Sequence, residues 1–205
     1  PCMSIQYVVL AFGILLVSGC AASINEYNAR QHAQAGVKAG RSGEFAKARK
    51  EFARALTNAR LAHADPKMVA ALSYEYGRYS GMICDWVEGE KGLAEAYDLD
   101  RQNGGPAYMS LVELARLNFD RQQHGTAVEY FDRVVLELEA SHADTRDPIG
   151  YAQILDEYAS SLEQTGKNGL AGKFHDRARD LRKAFPGQSS HTDRTPYGTQ
   201  CHDVS

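Results

Sequence analysis

The 205-residue chain carries little from which to build chemistry. Its seven histidines, His32, His63, His124, His142, His175, His191 and His202, show no H-x-x-x-H or H-E-x-x-H spacing and have no paired cysteines beside them, so a metal centre has no framework. No G-x-S-x-G elbow and no glycine loop suited to a phosphate occurs. His63 and His142 precede Asp65 and Asp144 in equivalent loops, where a His-Asp pair reads as a local hydrogen bond rather than a catalytic dyad. Excess positive charge is missing too: the formal net charge is −3, which argues against a binder that must neutralise many phosphates. Strand-like alternation is absent beyond the apolar N-terminus. These absences leave no enzyme, no metal, no cofactor and no nucleic-acid partner as the expectation, and they leave an all-helical chain.

What is present is a periodic pattern of small and apolar residues. In "GEFAKARKEFARAL", Phe45, Ala48, Phe52, Ala55, Leu56 and then Ala59 fall at steps of three and four, one stripe of a helix. Alanine at a contact position lets a neighbouring helix approach, and an aromatic fills the adjoining space. Upstream, Ala35, Gly36 and Ala39 share a face and Arg41-Ser42-Gly43 make a turn, so the two segments form a helical hairpin. Alanine, leucine, glutamate and arginine dominate the middle of the chain, and helices are expected at roughly 23–40, 43–62, 66–82, 87–98, 106–121, 124–141, 148–164 and 168–184.

These residues resemble the tetratricopeptide repeat. Gly36, Gly43, Phe45, Ala48, Phe52, Ala55 and Leu56 fit its pattern, with Ala39 where tyrosine is preferred. Weaker copies follow, carried by Gly77, Cys84, Trp86, Gly89, Leu93 and Ala96, by Ala115, Asn118, Ala127, Phe131, Val134 and Val135, and by Ala159, Leu162, Gly166, Ala171, His175 and Ala178. Pro66, Pro106, Pro148 and Pro186 recur 40, 42 and 38 residues apart, each starting or ending a repeat. The family repeats about every 34 residues, so longer helices or loops are implied here. The resemblance covers about residues 25–185 and implies an all-α, right-handed superhelix of about four hairpins. It also implies a concave groove lined by first-helix side chains, with Arg30, Val37, Tyr74, Arg78, Met109, Val112, Arg116, Phe119 and Asp156 as candidates. Arg78 and Arg116 occupy matching places, either as a fork for a carboxylate or as arginines paired with local glutamates.

The N-terminus reads differently. Tyr7 to Val17 is an uncharged apolar run of eleven residues, the length of a signal-peptide core, and it ends in Val17-Ser18-Gly19-Cys20, which resembles the bacterial lipobox. The resemblance implies a signal peptide over 1–19 and a diacylglycerol on the Cys20 sulfur. No basic residue precedes the run, and Met3 is read as the start unless further residues precede Pro1. The alternative is an uncleaved anchor helix to about Ala22. Ala21, where an aspartate would signal inner-membrane retention, favours the outer membrane of a Gram-negative envelope, facing the periplasm.

The expected division is therefore 1–19 signal peptide, 20–185 repeat domain and 186–205 tail. That tail is rich in Ser, Thr, Gly and Pro and poor in aliphatics, so it is expected to be disordered, with "TPYG" a solvent turn or a short docked segment. In an oxidising periplasm Cys84 and Cys201 either bridge, stapling the tail to the second repeat, or remain a small buried thiol and a free one. Residues 28–60 carry eight basic and two acidic side chains, either a solvated face or a surface for anionic lipid or an acidic partner. The expected function is a lipid-anchored envelope scaffold or assembly factor that binds a protein or peptide, of the kind that assists pilus or secretin subunits. The second reading is a recognition module for a non-protein component such as peptidoglycan.

Overall fold

Asp65 opens a helix by accepting the Lys67 N–H at 2.8 Å, and Pro66 begins it. Asp147 repeats the device, accepting the Gly150 N–H at 2.9 Å ahead of Pro148. In both places a short acid satisfies an orphan donor and the ring supplies a φ already suited to a helix. The computed structural model describes the backbone from Ser4 to Cys201 and the side chains from Ala21 to Cys201. Among the described residues there are nine helices: α1 (Ser4–Arg41), α2 (Phe45–Leu61), α3 (Pro66–Met82), α4 (Trp86–Asn103), α5 (Ala107–Asp120), α6 (His124–Ala140), α7 (Ala143–Arg146), α8 (Pro148–Gln164) and α9 (Asn168–Ala184). The hairpins α1–α2, α3–α4, α5–α6 and α8–α9 stack as an all-α right-handed superhelix.

Two departures explain the long repeat. Helix α4 runs past the expected Asp98 to Asn103 before Gly104 stops it in the left-handed conformation, and the one-turn helix α7 fills the link before Pro148. The turns share a device. Gly43, Gly104 and Gly166 take positive φ, and so do His63, Cys84, Gln122 and His142. Cys84, with φ 67°, stands where the repeat pattern prefers glycine, so something other than turn preference holds a side chain there.

Packing follows the small residues. A Cβ on Gly77 would lie 2.7 Å from the Leu93 amide nitrogen, and one on Gly92 would lie 2.9 Å from the Ser73 carbonyl oxygen, so α3 and α4 meet backbone to backbone. In the first hairpin the Phe52 ring covers Gly36 and stacks on Tyr79 with centroids 5.4 Å apart. Phe52, Ala55 and Phe131 are all buried, as the stripe requires. Arg49 ties the first hairpin to the second, donating to Asp85 at 2.5 Å.

The tail departs from expectation. Rather than being disordered, residues 186–201 cross the inner face of the superhelix, with Thr195 and Tyr197 buried. Composition alone suggested disorder because the segment has few aliphatics; it orders on a surface already prepared by the repeats. The 1–19 and Cys20 assignments fall on side chains outside the described residues. Among the described residues no helix is long and apolar enough to cross a membrane.

Gly77→Ala should therefore cost about 1–3 kcal/mol, since the intruding methyl meets backbone that cannot rotate away. Gly172→Ala, on a helix where a Cβ meets nothing within 4 Å, should instead stabilise by about 0.5–1 kcal/mol. Urea melts followed by circular dichroism check both, and equal effects would show the α3–α4 seam to be misdescribed.

Candidate functional site on the concave face

Helices α3, α5 and α8 turn side chains toward one hollow, where a cavity of about 710 Å³ opens. It gathers Tyr74 and Arg78 from α3 with Met109, Val112 and Arg116 from α5, five of the nine expected groove residues. The other four lie elsewhere. Arg30 is exposed and pairs with Glu26 along α1, and Val37 is exposed on the same helix, away from the cavity lining. Phe119 lies at the end of α5, edge-on to His124 and beneath a guanidinium of the tail. Asp156 faces α9, binding His175 at 2.9 Å and Arg182 at 2.6 Å, and is not among the residues that line the cavity. The sequence reading missed Glu75, Tyr108, Glu113, Tyr151 and Ile154. The proline spacing of 42 residues contained part of the signal, because it carries Met109 and Val112 onto Tyr151 and Ile154.

Arg78 and Arg116 do not form a fork for an outside carboxylate. Arg116 is 5 % exposed, donates from Nε to Glu157 at 2.8 Å and approaches Glu113 at 3.8 Å. Arg78 donates from Nε to the Thr195 hydroxyl at 2.9 Å and pairs with Glu75 at 3.3 Å. The repeat resemblance implies both arginines on the inner face but says nothing of the carboxylates that already meet them there. Burial pushes the Glu75 carboxyl above its ordinary range against the pull of Arg78. Burial, with the Glu113 charge, likewise raises the Tyr74 phenol.

The tail completes this network. Arg194 makes a bidentate pair with Asp120 at 2.7 and 2.9 Å, donates from Nε to Glu157 at 2.5 Å and lies over the Phe119 ring. Tyr197 enters a slot whose floor is Gly81: a Cβ there would stand 2.6 Å from the phenol ring. Leu114 and Leu117 belong to the same buried cluster, with Tyr74 and Trp86 packed against it, and the Tyr197 hydroxyl donates to Glu113 at 2.6 Å. Burial first, and Glu113 second, hold that phenol well above its ordinary value, so it remains a proton donor. Beyond it the Gly198 and Gln200 amides donate to the carbonyls of Gly81 and Met82 at 3.2 and 3.1 Å, using the open C-terminal end of α3. Cys201 then bonds to Cys84, with Cα atoms 5.0 Å apart. Of the two cysteine readings, the structure shows the staple, and it gives Cys84 its reason for occupying a glycine turn.

Among the described residues no group of His, Cys, Asp or Glu is arranged to hold a metal. No family model and no curated protein matches the chain. Solved structures do. BtubC (BKLC) from P. vanneervenii superposes with a TM-score of 0.72 at 17% identity, covering 81% of this chain and 67% of that one. A Podosopora anserina kinesin light chain with nearly identical TPR-like repeats gives 0.63 at 16%, covering 78% and 77%. MamA gives 0.61 at 15%, covering 77% and 80%. At such identities the likeness establishes the fold, a TPR-like repeat superhelix, and nothing finer.

Removing Arg116 as Arg116→Ala should cost about 3–5 kcal/mol, because it leaves buried carboxylate behind. Tyr197→Phe should cost about 1–2 kcal/mol through the donor lost to Glu113. Denaturant unfolding measures both, and a Tyr197→Phe chain as stable as wild type would show the tail to lie outside its slot.

Proposed function

We propose that the chain is a non-enzymatic scaffold that binds a polypeptide partner on its concave face, held to a bacterial outer membrane through a lipid on Cys20. One observation carries the binding reading: the concave face already receives a non-helical polypeptide segment, residue by residue, and leaves beside it an open cavity of about 710 Å³. Stacked hairpins with this shape suit extended or helical segments. The cavity's rim supplies the apolar anchors that such interfaces use, since Tyr108 and Met109 are each 38 % exposed there while Val112 and Ile154 form its floor. The lipobox-like Val17-Ser18-Gly19-Cys20 supports the anchor, and the Cys84–Cys201 bond suits an oxidising compartment such as the periplasm. Assembly of envelope subunits, of the pilus or secretin kind, is the role such a tethered scaffold would serve.

Tyr108→Ala with Met109→Glu should leave the melt nearly unchanged, within about 0.5 kcal/mol, as exposed substitutions do. Crosslinked capture of envelope proteins should fall. The control, Leu136→Glu on the exposed side of α6, should keep its partners. Cys20→Ser should abolish labelling by a fatty-acid probe. Capture lost by the control and kept by the cavity variant would reject the concave surface, and persistent labelling would reject the anchor.

A further inference from the structure

The segment Arg194–Tyr197 sits in two seats that look prepared for its side chains rather than adapted to them. The first is acidic. Asp120 and Glu157 come from different helices, α5 and α8, and both turn their oxygens to one guanidinium with Phe119 behind it. Glu157 gives one oxygen to Arg116 and turns the other to this seat, and Asp120 meets the guanidinium at two points, so the seat suits the planar fork of an arginine. The second seat is a closed slot for a phenol. Gly81 lacks the Cβ that would fill it, and Glu113, 5 % exposed, waits at its base for a hydroxyl donor. Between the seats Arg78 donates to a threonine hydroxyl. The spacing is arginine, two residues, then tyrosine, with the chain folded tightly at Pro196, where the Tyr197 amide donates to the Thr195 carbonyl at 3.1 Å.

Resting on the scaffold reading, the geometry points to a recognition track on the concave face for a partner segment of the form Arg-x-x-Tyr, turned tightly before its tyrosine, which the chain's own tail fills while the Cys84–Cys201 bond is closed. The tail is a resident copy of the ligand. Its last contact is covalent, so in the oxidised chain no free segment competes with it. A dithiol reductant opens the latch: its thiolate attacks the bond to form a mixed disulfide, its second thiol completes the exchange, and Cys84 and Cys201 gain two electrons and two protons as thiols while the dithiol becomes a disulfide. The released tail stays tethered to α9 a few residues away and competes at an effective concentration of order millimolar. A partner must therefore hold more than the two seats, and the adjoining cavity with Tyr108 and Met109 offers the further contact.

The test uses the full chain and a fluorescein-labelled peptide of residues 191–200. In the variant carrying Cys84→Gly, Cys201→Ser, Arg194→Glu and Tyr197→Ala, the resident copy is disabled while both seats remain. That chain should bind the peptide at least tenfold more tightly than oxidised wild type, and peptides with the arginine or the tyrosine changed to alanine should each lose about tenfold. Equal binding by wild type and variant, or by peptide and alanine peptides, overturns the track. Concentration-dependent dimerisation of the variant that blocks the peptide also overturns it, reassigning the seats to a second copy. Reduced wild type gives a reading that needs no variant: trypsin cleavage after Arg194 should accelerate at least tenfold on reduction and faster still with excess peptide, and an unchanged rate counts against the latch. A variant that ignores the peptide but captures envelope proteins through Tyr108 and Met109 sinks the track and leaves the scaffold standing; the reverse result sinks the scaffold's cavity alone.

Discussion

A buried charge needs a partner, and on the concave face that requirement organises everything else. Glu113 and Arg116 are each 5 % exposed, and around them stand Arg78, Glu75, Glu157 and Asp120. Taken from the helices alone the set is short of cations, with two arginines among four acids. Arg194 supplies the third guanidinium and Tyr197 a neutral donor, so the tail finishes a network that the repeats leave incomplete. Half-satisfied buried networks are costly, whereas completed ones fix a unique arrangement.

The helical scaffold makes that network possible by holding its members on separate elements. Glycines at 77 and 92 draw α3 and α4 to backbone contact, and Gly81, one turn beyond Gly77 on α3, leaves the opening that admits Tyr197. The stack α3, α5, α8 then sets acids and arginines at intervals that the tail spans from Arg194 to Tyr197. Turn chemistry contributes the latch, since the left-handed position after α3 carries Cys84, not glycine, and presents its sulfur to the end of the tail.

The repeats were legible because their signals are local: prolines at helix starts, alanine and aromatic stripes, turn positions. Six of the eight expected helices lie within two residues of the observed ends, while Gly104 rather than a pattern break sets the end of α4 and residues before Ser23 extend α1. The groove was only partly legible. The repeat resemblance carries Tyr74, Arg78, Met109, Val112 and Arg116 to the cavity, yet Asp156 meets α9 because which side of a helix meets its partner depends on packing across hairpins. The tail was least legible of all. Its order comes from acids 37 to 84 residues away in sequence, Glu157 and Asp120 for Arg194 and Glu113 for Tyr197, and a composition window registers nothing at that range.

In the oxidised chain the tail occupies the concave face. Amide hydrogen exchange by NMR at Gly198 and Gln200 tests it most directly, because both amides donate to carbonyls at the end of α3. Protection comparable with that of the helical amides of α3 is expected while the disulfide is intact. Exchange at the rates of an unstructured peptide would contradict it and return residues 186–201 to solvent.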